Sequence, residues 1–425
     1  MLKNLDISTK ILLVCAIHLT TALALAPKIG RIFRSHTLLN VVENQEISFD
    51  NVGTGQQRSK IDPEKSFVAY NFEVPNSFIL PKTLTQNCHW QTIVGSKALL
   101  NKLVGQSPRP FETNIERIIT PDGDFFDVEY SNGFENLDAI VVISHGLESN
   151  SKGELVTNFA QAFLSKGFGC SLVNYRGCSG EPNRRLGAYH LGFTTDLKQI
   201  TSLLKERYPF KSIYLSGFSL GGNVSLKLLG ELADSAKDSN IRGCAVTCVP
   251  FDPVASQGKL DQGFNRAVYS ENFLASLKMK AENQIKLFPN SFDIDAVRAC
   301  RSIGDFDEAF ICKIYGFLNK EDYYRKTGSK WWLSKIRVPT IVINARDDPF
   351  IEEKSLPTEA DVGEAPVRLI YTDHGGHCGF YTTETGAPDA SLPLPPHGWL
   401  AEELARAIEH IHLSLEEEEE LRRIN

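Results

Sequence analysis

The chain has 425 residues, which is enough for one large domain with extensions or for two domains. Hydrophobic residues make up 42% and charged residues 23%, as in ordinary globular proteins, so disorder is not expected for most of the chain. The formal net charge of -7 argues against a nucleic-acid-binding protein, because neutralising phosphates requires a basic surface.

The segment Ile11–Ala26 is mostly apolar, although polar residues interrupt it. As a helix it would be about 24 Å long, less than the roughly 30 Å hydrocarbon core of a bilayer. We interpret it as an uncleaved single-pass membrane anchor, of open orientation because basic residues flank both ends. The alternative is a secretory signal peptide, because Ala24-Leu25-Ala26 resembles a cleavage site, although Pro27 argues against cleavage there. We therefore expect a membrane-associated protein, with a secreted or cytoplasmic soluble protein as the alternative.

Pattern and composition divide the chain into four parts. They are an apolar segment over residues 1–40, an extension over 41–110, a main domain over 111–413 and an acidic tail over 414–425. The extension shows no sustained period, and we expect it to wrap over the core. The tail contains the run Glu416–Glu420, which is typical of a solvated helix face or tail.

The main domain opens with a hairpin, because Phe111–Thr120 and Asp124–Tyr130 flank the turn Pro121-Asp122-Gly123. Apolar runs typical of buried parallel strands then occupy Ala139–Ser144, Gly169–Asn174, Ser212–Ser216, Gly243–Cys248, Val338–Asn344 and Val367–Tyr371. Helical patterns separate them at Gly153–Leu164, Thr194–Tyr208, Ser219–Ala233 and His397–Leu413. This alternation predicts an α/β fold with a mostly parallel central sheet and an antiparallel opening hairpin.

One connection, between Cys248 and Val338, is too long for a simple crossover. It is rich in aromatic residues, and its predicted helices include Ser270–Lys286 and Ile294–Arg301. Because long insertions in compact domains are often lids, we predict a helical cap over about residues 250–335. The alternative is a set of extra helices that pack on the sheet without covering a site.

The nine cysteines form neither a disulfide pattern nor a zinc-binding pattern, because their number is odd and no CxxC pair is present. Cys170, Cys244 and Cys248 lie in or beside apolar runs, where cysteine behaves as a small hydrophobic residue. A reducing compartment fits this usage best.

The motif Gly217-Phe218-Ser219-Leu220-Gly221 has the G-x-S-x-G pattern and stands between an apolar strand and a helix. That context is what a nucleophile elbow requires, since the sharp turn needs small flanking residues and lifts the hydroxyl above the sheet. We therefore predict Ser219 as a nucleophile. The alternative is an ordinary glycine-rich turn between strand and helix.

A serine nucleophile needs a base, and the base needs an acid to orient it. Asp347 and Asp348 follow one late strand, and His374 and His377 follow the last strand. We predict Asp348 as the acid, with Asp347 as the alternative or as a cap of the turn before Pro349. We predict His377 as the base, because two glycines before it allow close approach, and His374 as a neighbouring polar contact. A metal site made of His374 and His377 is not expected, because no further ligand cluster lies near in sequence.

An oxyanion hole needs two backbone N–H groups, one after the nucleophile and one after the third strand. Leu220 is predicted to supply the first, and Leu147 in His145-Gly146-Leu147-Glu148 the second. His145 could be read as another base, but we favour a role in bracing this loop.

Together these motifs resemble one subfamily of α/β-hydrolase-fold enzymes, which contains bacterial YheT-type hydrolases, plant embryogenesis-associated proteins and abhydrolase-domain proteins one to three. The resemblance covers about Asn76–Leu413 and is carried by His89–Ile93, Thr120–Asp124, His145–Glu148, Asn174–Gly180, Tyr189–His190, Gly217–Asn223, Ala345–Phe350 and Gly375–His377. It implies the α/β-hydrolase fold and a triad of Ser219, Asp348 and His377. It also implies hydrolysis of acylglycerols, phospholipids or short acyl esters, and several members carry one N-terminal membrane segment.

We therefore predict a serine carboxylesterase or lipase that acts on an ester or lipid small molecule through an acyl-Ser219 intermediate. One alternative is an acyltransferase, in which an alcohol replaces the water that deacylates the serine. Another is a non-catalytic binding protein on the same fold. No metal, nucleotide or flavin cofactor is predicted, nucleic acid is not an expected partner, and the sequence makes no prediction of oligomeric state.

Overall fold

The computed structural model describes residues 87–95, 109–380 and 398–424. The segment Ile11–Ala26, and with it the predicted membrane anchor, lies outside these residues. Among the helices that are described, none combines the length and the apolar character needed to cross a bilayer.

A single mixed sheet forms the centre of the described structure. Its strands are β1 (Thr113–Ile119), β2 (Phe125–Ser131), β3 (Ala139–Ser144), β4 (Gly169–Asn174), β5 (Ser212–Phe218), β6 (Ile241–Thr247), β7 (Thr340–Ala345) and β8 (Val367–Thr372). The spatial order is β1-β2-β4-β3-β5-β6-β7-β8. The pairs β1–β2 and β2–β4 are antiparallel, and all other neighbours are parallel. The predicted fold class, with its antiparallel opening hairpin, is confirmed.

Helices cover both faces of this sheet. The longer ones are α1 (Cys88–Gly95), α2 (Glu154–Ser165), α3 (Thr195–Arg207), α4 (Leu220–Leu232), α5 (Pro253–Leu260), α6 (Glu271–Leu287), α7 (Ile294–Ala299), α8 (Lys320–Thr327) and α9 (Trp399–Ile424). Single helical turns lie at Ser235–Asp238, Gly263–Asn265, Ile303–Phe306, Cys312–Tyr315 and Glu359–Val362. Segments of 3₁₀-helix lie at Phe134–Asn136, Ser329–Lys335 and Glu353–Ser355, and π-helix occurs at Arg266–Ser270 and Asp307–Ile311.

The core lies on both sides of the sheet, as the continuous apolar strands require. Along β3, Ile140 and Val142 pack into the cluster that includes α3 and α4, whereas Val141 and Ile143 pack into the cluster that includes α2 and α9. All four side chains are fully buried, and each contributes roughly 1.5–3 kcal/mol of hydrophobic stabilisation. Because successive side chains of a strand point to opposite faces, a strand covered on both faces is apolar at consecutive positions, as β3 is from Ala139 to Ile143.

The insertion between β6 and β7 is helical, in agreement with the sequence. It contains α5 to α8 and has a hydrophobic cluster of its own, which includes Leu274, Phe306, Phe310 and Tyr323. Asp252 begins the insertion as the N-cap of α5, where its side chain accepts hydrogen bonds from the next backbone N–H groups. Because the insertion has its own core, it is a compact layer and not a loose loop.

The acidic tail predicted over residues 414–425 is, up to Ile424, the last part of α9. Glutamate is a good helix former, and side chains four residues apart pair along the helix surface. His412 Nε2 lies 3.3 Å from a Glu416 oxygen, and an Arg422 nitrogen lies 3.8 Å from a Glu418 oxygen. The helix therefore continues through the acidic run and does not end at Leu413, as its sequence pattern suggested.

A glycine inside α4 provides a test of how closely the insertion packs on the sheet layer. At Gly230 an added Cβ would lie 2.6 Å from Trp332 Cβ and 2.7 Å from the Trp332 carbonyl oxygen, whereas at Gly258 in α5 it would meet nothing within 4 Å. We expect Gly230→Ala to lower the free energy of unfolding by about 1–3 kcal/mol through overpacking. Gly258→Ala should raise it by about 0.5–1 kcal/mol through helix propensity. Urea denaturation of both variants measures this, and equal effects would contradict the packing described here.

Candidate active site

Ser219 occupies the sharp turn between β5 and α4. Its backbone has φ 55° and ψ −126°, a conformation that costs free energy in a non-glycine residue and that is typical of functional sites. Its N–H donates to the carbonyl oxygen of Thr247 at 3.0 Å, which ties the turn to the end of β6. At Gly221 a Cβ would overlap the carbonyl oxygen of Ser144, so the close approach of α4 to β3 requires glycine there.

The loop after β3 lies against this turn. A Cβ at Gly146 would lie 3.2 Å from Ser219 Cβ, so His145-Gly146-Leu147-Glu148 passes beside the serine. Leu220 is the first residue of α4, where backbone N–H groups have no partner within the helix. The N–H groups of Leu220 and Leu147 donate no hydrogen bond to any other residue that the structure describes. Both therefore have a free donor beside the serine, as an oxyanion hole would require.

His145 is fully buried, and both of its ring nitrogens have partners. The N–H of Tyr175 donates to Nε2 at 3.3 Å, so Nδ1 carries the proton and donates to the carbonyl oxygen of Gly146 at 2.8 Å. Burial lowers the pKa of His145 to about 4, which keeps the ring neutral. This geometry fits the bracing role favoured from the sequence and leaves no nitrogen free to act as a base.

His377 and Asp348 are brought together by the parallel strands that precede them. Asp348 follows β7 and His377 follows β8, and these two strands are neighbours in the sheet. His377 Nδ1 lies 2.8 Å from Asp348 Oδ2, and both side chains are buried. Burial lowers the pKa of His377, but the charge of Asp348 and its hydrogen bond outweigh this and raise the pKa overall.

Asp347 and His374 form a second pair beside the first. Asp347 Oδ2 lies 3.2 Å from His374 Nδ1, and Asp347 Oδ1 accepts the N–H of Gly376 at 2.9 Å. Asp347 therefore bonds to the histidine loop and does not cap its own turn, which Asp348 closes instead, because its Oδ1 accepts the N–H of Phe350 at 2.8 Å. One carboxylate therefore has two functions, since the first oxygen of Asp348 closes the turn while the second faces His377.

Ser219 and His377 lie on opposite sides of the end of β6. The N–H of Ser219 bonds to Thr247, and the next residue, Cys248, accepts the N–H of Cys378 on its sulfur at 3.1 Å. Among the described residues, no hydrogen bond joins Ser219 Oγ to His377. In free enzymes such bonds are often long and shorten only when substrate is bound.

Helix α1 also holds the histidine loop, which sequence reasoning missed. Thr92 Oγ1 accepts the N–H of His377 at 2.8 Å and donates to the carbonyl oxygen of Cys88 at 2.7 Å. A Cβ at Gly376 would lie 2.8 Å from Thr92 Oγ1, so this glycine allows the loop to approach the helix. Thr92 lies in the segment His89–Ile93, which is part of the family resemblance, but nothing in that segment alone indicated a contact with His377.

The insertion holds the acid loop through the backbone. Lys259 Nζ donates to the carbonyl oxygens of Asp348 and Ile351, both at 2.7 Å, and Asn265 Nδ2 donates to that of Pro349 at 2.6 Å. The insertion also contacts the loop after β3, because Lys280 Nζ in α6 lies 2.7 Å from a carboxylate oxygen of Glu148. These contacts place α5 and α6 beside the candidate site, where a cap was predicted.

Aromatic rings lie between the insertion and His377. The centroid of the Phe350 ring is 4.2 Å from that of His377, and the Tyr269 ring is 4.8 Å from Phe350. Phe264 from the insertion lies 4.3 Å from the ring of His89 in α1. The imidazole therefore has an apolar boundary on this side, which accounts for its burial.

Comparisons with known proteins show the family to which the chain belongs. Residues 139–383, more than half of the chain, match the sequence profile of the alpha/beta hydrolase fold family. The chain is 30% identical over 313 residues to the putative esterase YheT of Escherichia coli, covering 71% of this chain and 86% of that protein. It is 25% identical over 291 residues to phospholipase ABHD3 of Mus musculus, covering 67% and 70% of the two chains.

A solved structure of the Pyrococcus furiosus esterase Pf2001 aligns with a TM-score of 0.43 and 19% sequence identity, covering 64% of this chain and 85% of that one. The match to the family profile and the similarity to YheT are enough to assign the family without this solved structure. The chain therefore belongs to the alpha/beta hydrolase fold family.

Proposed function

We propose that this protein hydrolyses carboxylic esters through an acyl-Ser219 intermediate, with His377 as general base and Asp348 as the acid that orients it. The observation that carries the proposal is the buried hydrogen bond of 2.8 Å between His377 Nδ1 and Asp348 Oδ2 at the sheet edge that also carries Ser219. A carboxylate on Nδ1 fixes the tautomer in which Nε2 has the lone pair. Nε2 is then the atom that accepts a proton from the serine.

Acylation follows from these roles. Ser219 Oγ attacks the ester carbonyl carbon while its proton passes to His377 Nε2, and the carbonyl oxygen becomes an oxyanion. The free N–H groups of Leu147 and Leu220 stabilise that oxyanion, aided by the positive end of the α4 dipole. His377 then gives its proton to the leaving alcohol as the C–O bond breaks.

Deacylation uses the same groups in reverse. A water molecule gives a proton to His377 Nε2 and attacks the acyl carbon, and the acid product leaves when Ser219 recovers the proton. The negative charge of Asp348 stabilises the imidazolium that forms in both half-reactions, which agrees in sign with the raised pKa of His377.

The substrate class that we propose is an ester with an apolar acyl group, such as an acylglycerol, a phospholipid or a short acyl ester. YheT is named a putative esterase and ABHD3 a phospholipase, which supports ester chemistry here. The aromatic rings of Tyr269, Phe273 and Phe350 near His377 support an apolar acyl group. A hydrolysis assay over esters of graded acyl length tests the class, and no turnover of any ester would contradict the proposal.

Ser219→Ala tests the nucleophile directly. The variant should lose ester hydrolysis by on the order of 10³-fold or more, because no atom remains to be acylated. It should also lose labelling by a fluorophosphonate probe while keeping its melting temperature. Ser225 is a buried serine in α4, the helix that follows Ser219, so Ser225→Ala is the matched control and should keep both labelling and turnover. Retention of more than about a tenth of the wild-type rate in Ser219→Ala would exclude Ser219 as the nucleophile.

The two adjacent aspartates give a second test. Asp348→Asn should lower turnover by roughly 10² to 10⁴-fold, because the amide favours the wrong tautomer and does not stabilise the imidazolium. Asp347→Asn is the matched control and should mainly lower stability, since Asp347 faces His374 and the N–H of Gly376. Steady-state kinetics of both variants on one ester decide between them. An inactive Asp347→Asn beside a nearly normal Asp348→Asn would reverse the assignment.

The pH profile provides a third test. His377 must be neutral to accept a proton, and its pKa is raised, so kcat/KM should fall with decreasing pH around an apparent pKa above about 6.5. Asp348→Asn removes the charge that raises this pKa, so the acid limb of its residual activity should move to lower pH. An acid limb at the same pH in both proteins would show that Asp348 does not act on the base.

A further inference from the structure

Two thiols lie beside the candidate base and have no part in the mechanism above. Cys248 follows β6, and Cys378 follows His377 in the loop after β8. The two sulfurs and a ring nitrogen of His377 all lie within 4.8 Å of one another. The three side chains are buried, with 0%, 3% and 9% of Cys248, Cys378 and His377 exposed. Both cysteines are free thiols, as are the other cysteines that the structure describes.

The backbone holds these thiols at a conformational cost. Cys248 has φ 52° and Cys378 has φ 63°, in the left-handed region that side-chain-bearing residues rarely adopt. Such outliers persist only where the surrounding structure imposes them, and they are common at functional sites. Here the two residues place their sulfurs within 4.8 Å of one ring nitrogen of His377. Simple filling of an apolar core would not require this, and Cys170 and Cys244 fill the core from ordinary strands.

The surroundings of the cluster resemble those of metal ligands in general. The N–H of Cys378 donates to the sulfur of Cys248 at 3.1 Å, a contact that stabilises a thiolate. The carboxylate of Asp348 lies on Nδ1 of His377, and metal-binding histidines usually have such a partner on the nitrogen that does not bind the metal. Thiolates and imidazole together are the ligands that Zn²⁺ prefers.

We propose that Cys248, Cys378 and His377 form an inhibitory site for a thiophilic divalent cation such as Zn²⁺. On binding, each thiol releases a proton to solvent and its sulfur bonds to the cation, while the neutral imidazole bonds through its lone pair. A water molecule completes four-coordination. Tetrahedral zinc bonds of about 2.0–2.3 Å hold neighbouring ligand atoms about 3.3–3.8 Å apart, and the three candidate atoms already lie within 4.8 Å of one another, so a small closure of the two loops is enough to bind the cation.

Binding and catalysis exclude each other at this site. With Nδ1 bonded to Asp348, the ring has one remaining lone pair, which either binds the cation or accepts the proton of Ser219. The cation therefore stops ester hydrolysis without touching the serine. This inhibition rests on the proposed function, whereas binding of the cation does not.

The experiment measures binding and activity separately. Cd²⁺ is titrated into the Ser219→Ala protein, and thiolate-to-metal charge-transfer absorbance in the ultraviolet is followed. We expect saturation at one equivalent. In the same background, Cys248→Ser and Cys378→Ser should each weaken binding by at least about 10-fold, since each loses one thiolate ligand. Cys244→Ser is the matched control, because Cys244 is fully buried on β6 outside the cluster, and it should bind Cd²⁺ as the parent protein does.

The activity arm uses Zn²⁺ and the otherwise wild-type chain. Zn²⁺ should inhibit ester hydrolysis, EDTA should restore it, and Cys248→Ser and Cys378→Ser should each be inhibited at least about 10-fold less strongly. Melting curves confirm folding of each variant, and Cys378→Ala replaces any serine variant that does not fold. An unchanged Cd²⁺ titration in the cysteine variants, or no absorbance in the parent, overturns the inference even if the enzyme is active. Cd²⁺ binding without ester hydrolysis on any substrate would instead contradict the proposed function alone.

Discussion

The hydrogen bond between Asp348 and His377 is the interaction on which the rest of the candidate site depends. A carboxylate and an imidazole are removed from water together, and a buried polar group left without a partner costs about 1–3 kcal/mol. Further hydrogen bonds from neighbouring segments offset this cost. Asp348 also accepts the N–H of Phe350, and the N–H of His377 is accepted by Thr92. The pair is therefore held by its surroundings and does not depend on one contact.

Three separate parts of the chain supply those surroundings, and the parallel sheet explains how they meet. The carboxyl ends of β3, β5, β6, β7 and β8 lie at one edge, so the loops that follow them converge. At this edge helix α1 contacts the histidine loop, and the insertion contacts the acid loop. Lys259 and Asn265 bind carbonyl oxygens of the acid loop, which fixes its backbone whatever its side chains are. The site is thus assembled from loops whose positions are set by rigid elements.

Local patterns in the sequence were sufficient for the fold and for much of the candidate site. The apolar runs indicated the inner strands because a strand buried on both faces is mostly apolar, although β2 buries Asp127 and Glu129. Ser219 was chosen as the candidate nucleophile because its turn lies between a strand and a helix. Asp348 and His377 were found because they follow late strands. The acidic run Glu416–Glu420 lies on the solvent-exposed end of α9, as expected for a solvated helix face, but the helix continues beyond Leu413, where the sequence pattern had ended it.

Contacts between distant residues could not be predicted in the same way. Thr92 lies 285 positions from His377, Cys248 lies 130 from Cys378 and Lys259 lies 89 from Asp348. No periodicity joins such residues, since they become neighbours only after the sheet has formed. The sequence also did not show that one oxygen of Asp348 accepts the N–H of Phe350 while the other faces His377. That arrangement depends on backbone direction, which residue identity does not encode.

The insertion contacts two loops of the candidate site. Lys259 lies in α5, which is part of the predicted cap, yet it binds the backbone of the catalytic acid proposed here. Lys280 in α6 binds Glu148, the neighbour of the proposed oxyanion donor Leu147. A movement of the insertion would therefore act on the acid loop and the oxyanion loop together. Because a displacement of about 1 Å at a reacting group can change a rate about 10²-fold, we expect a cap joined in this way to affect turnover as well as access.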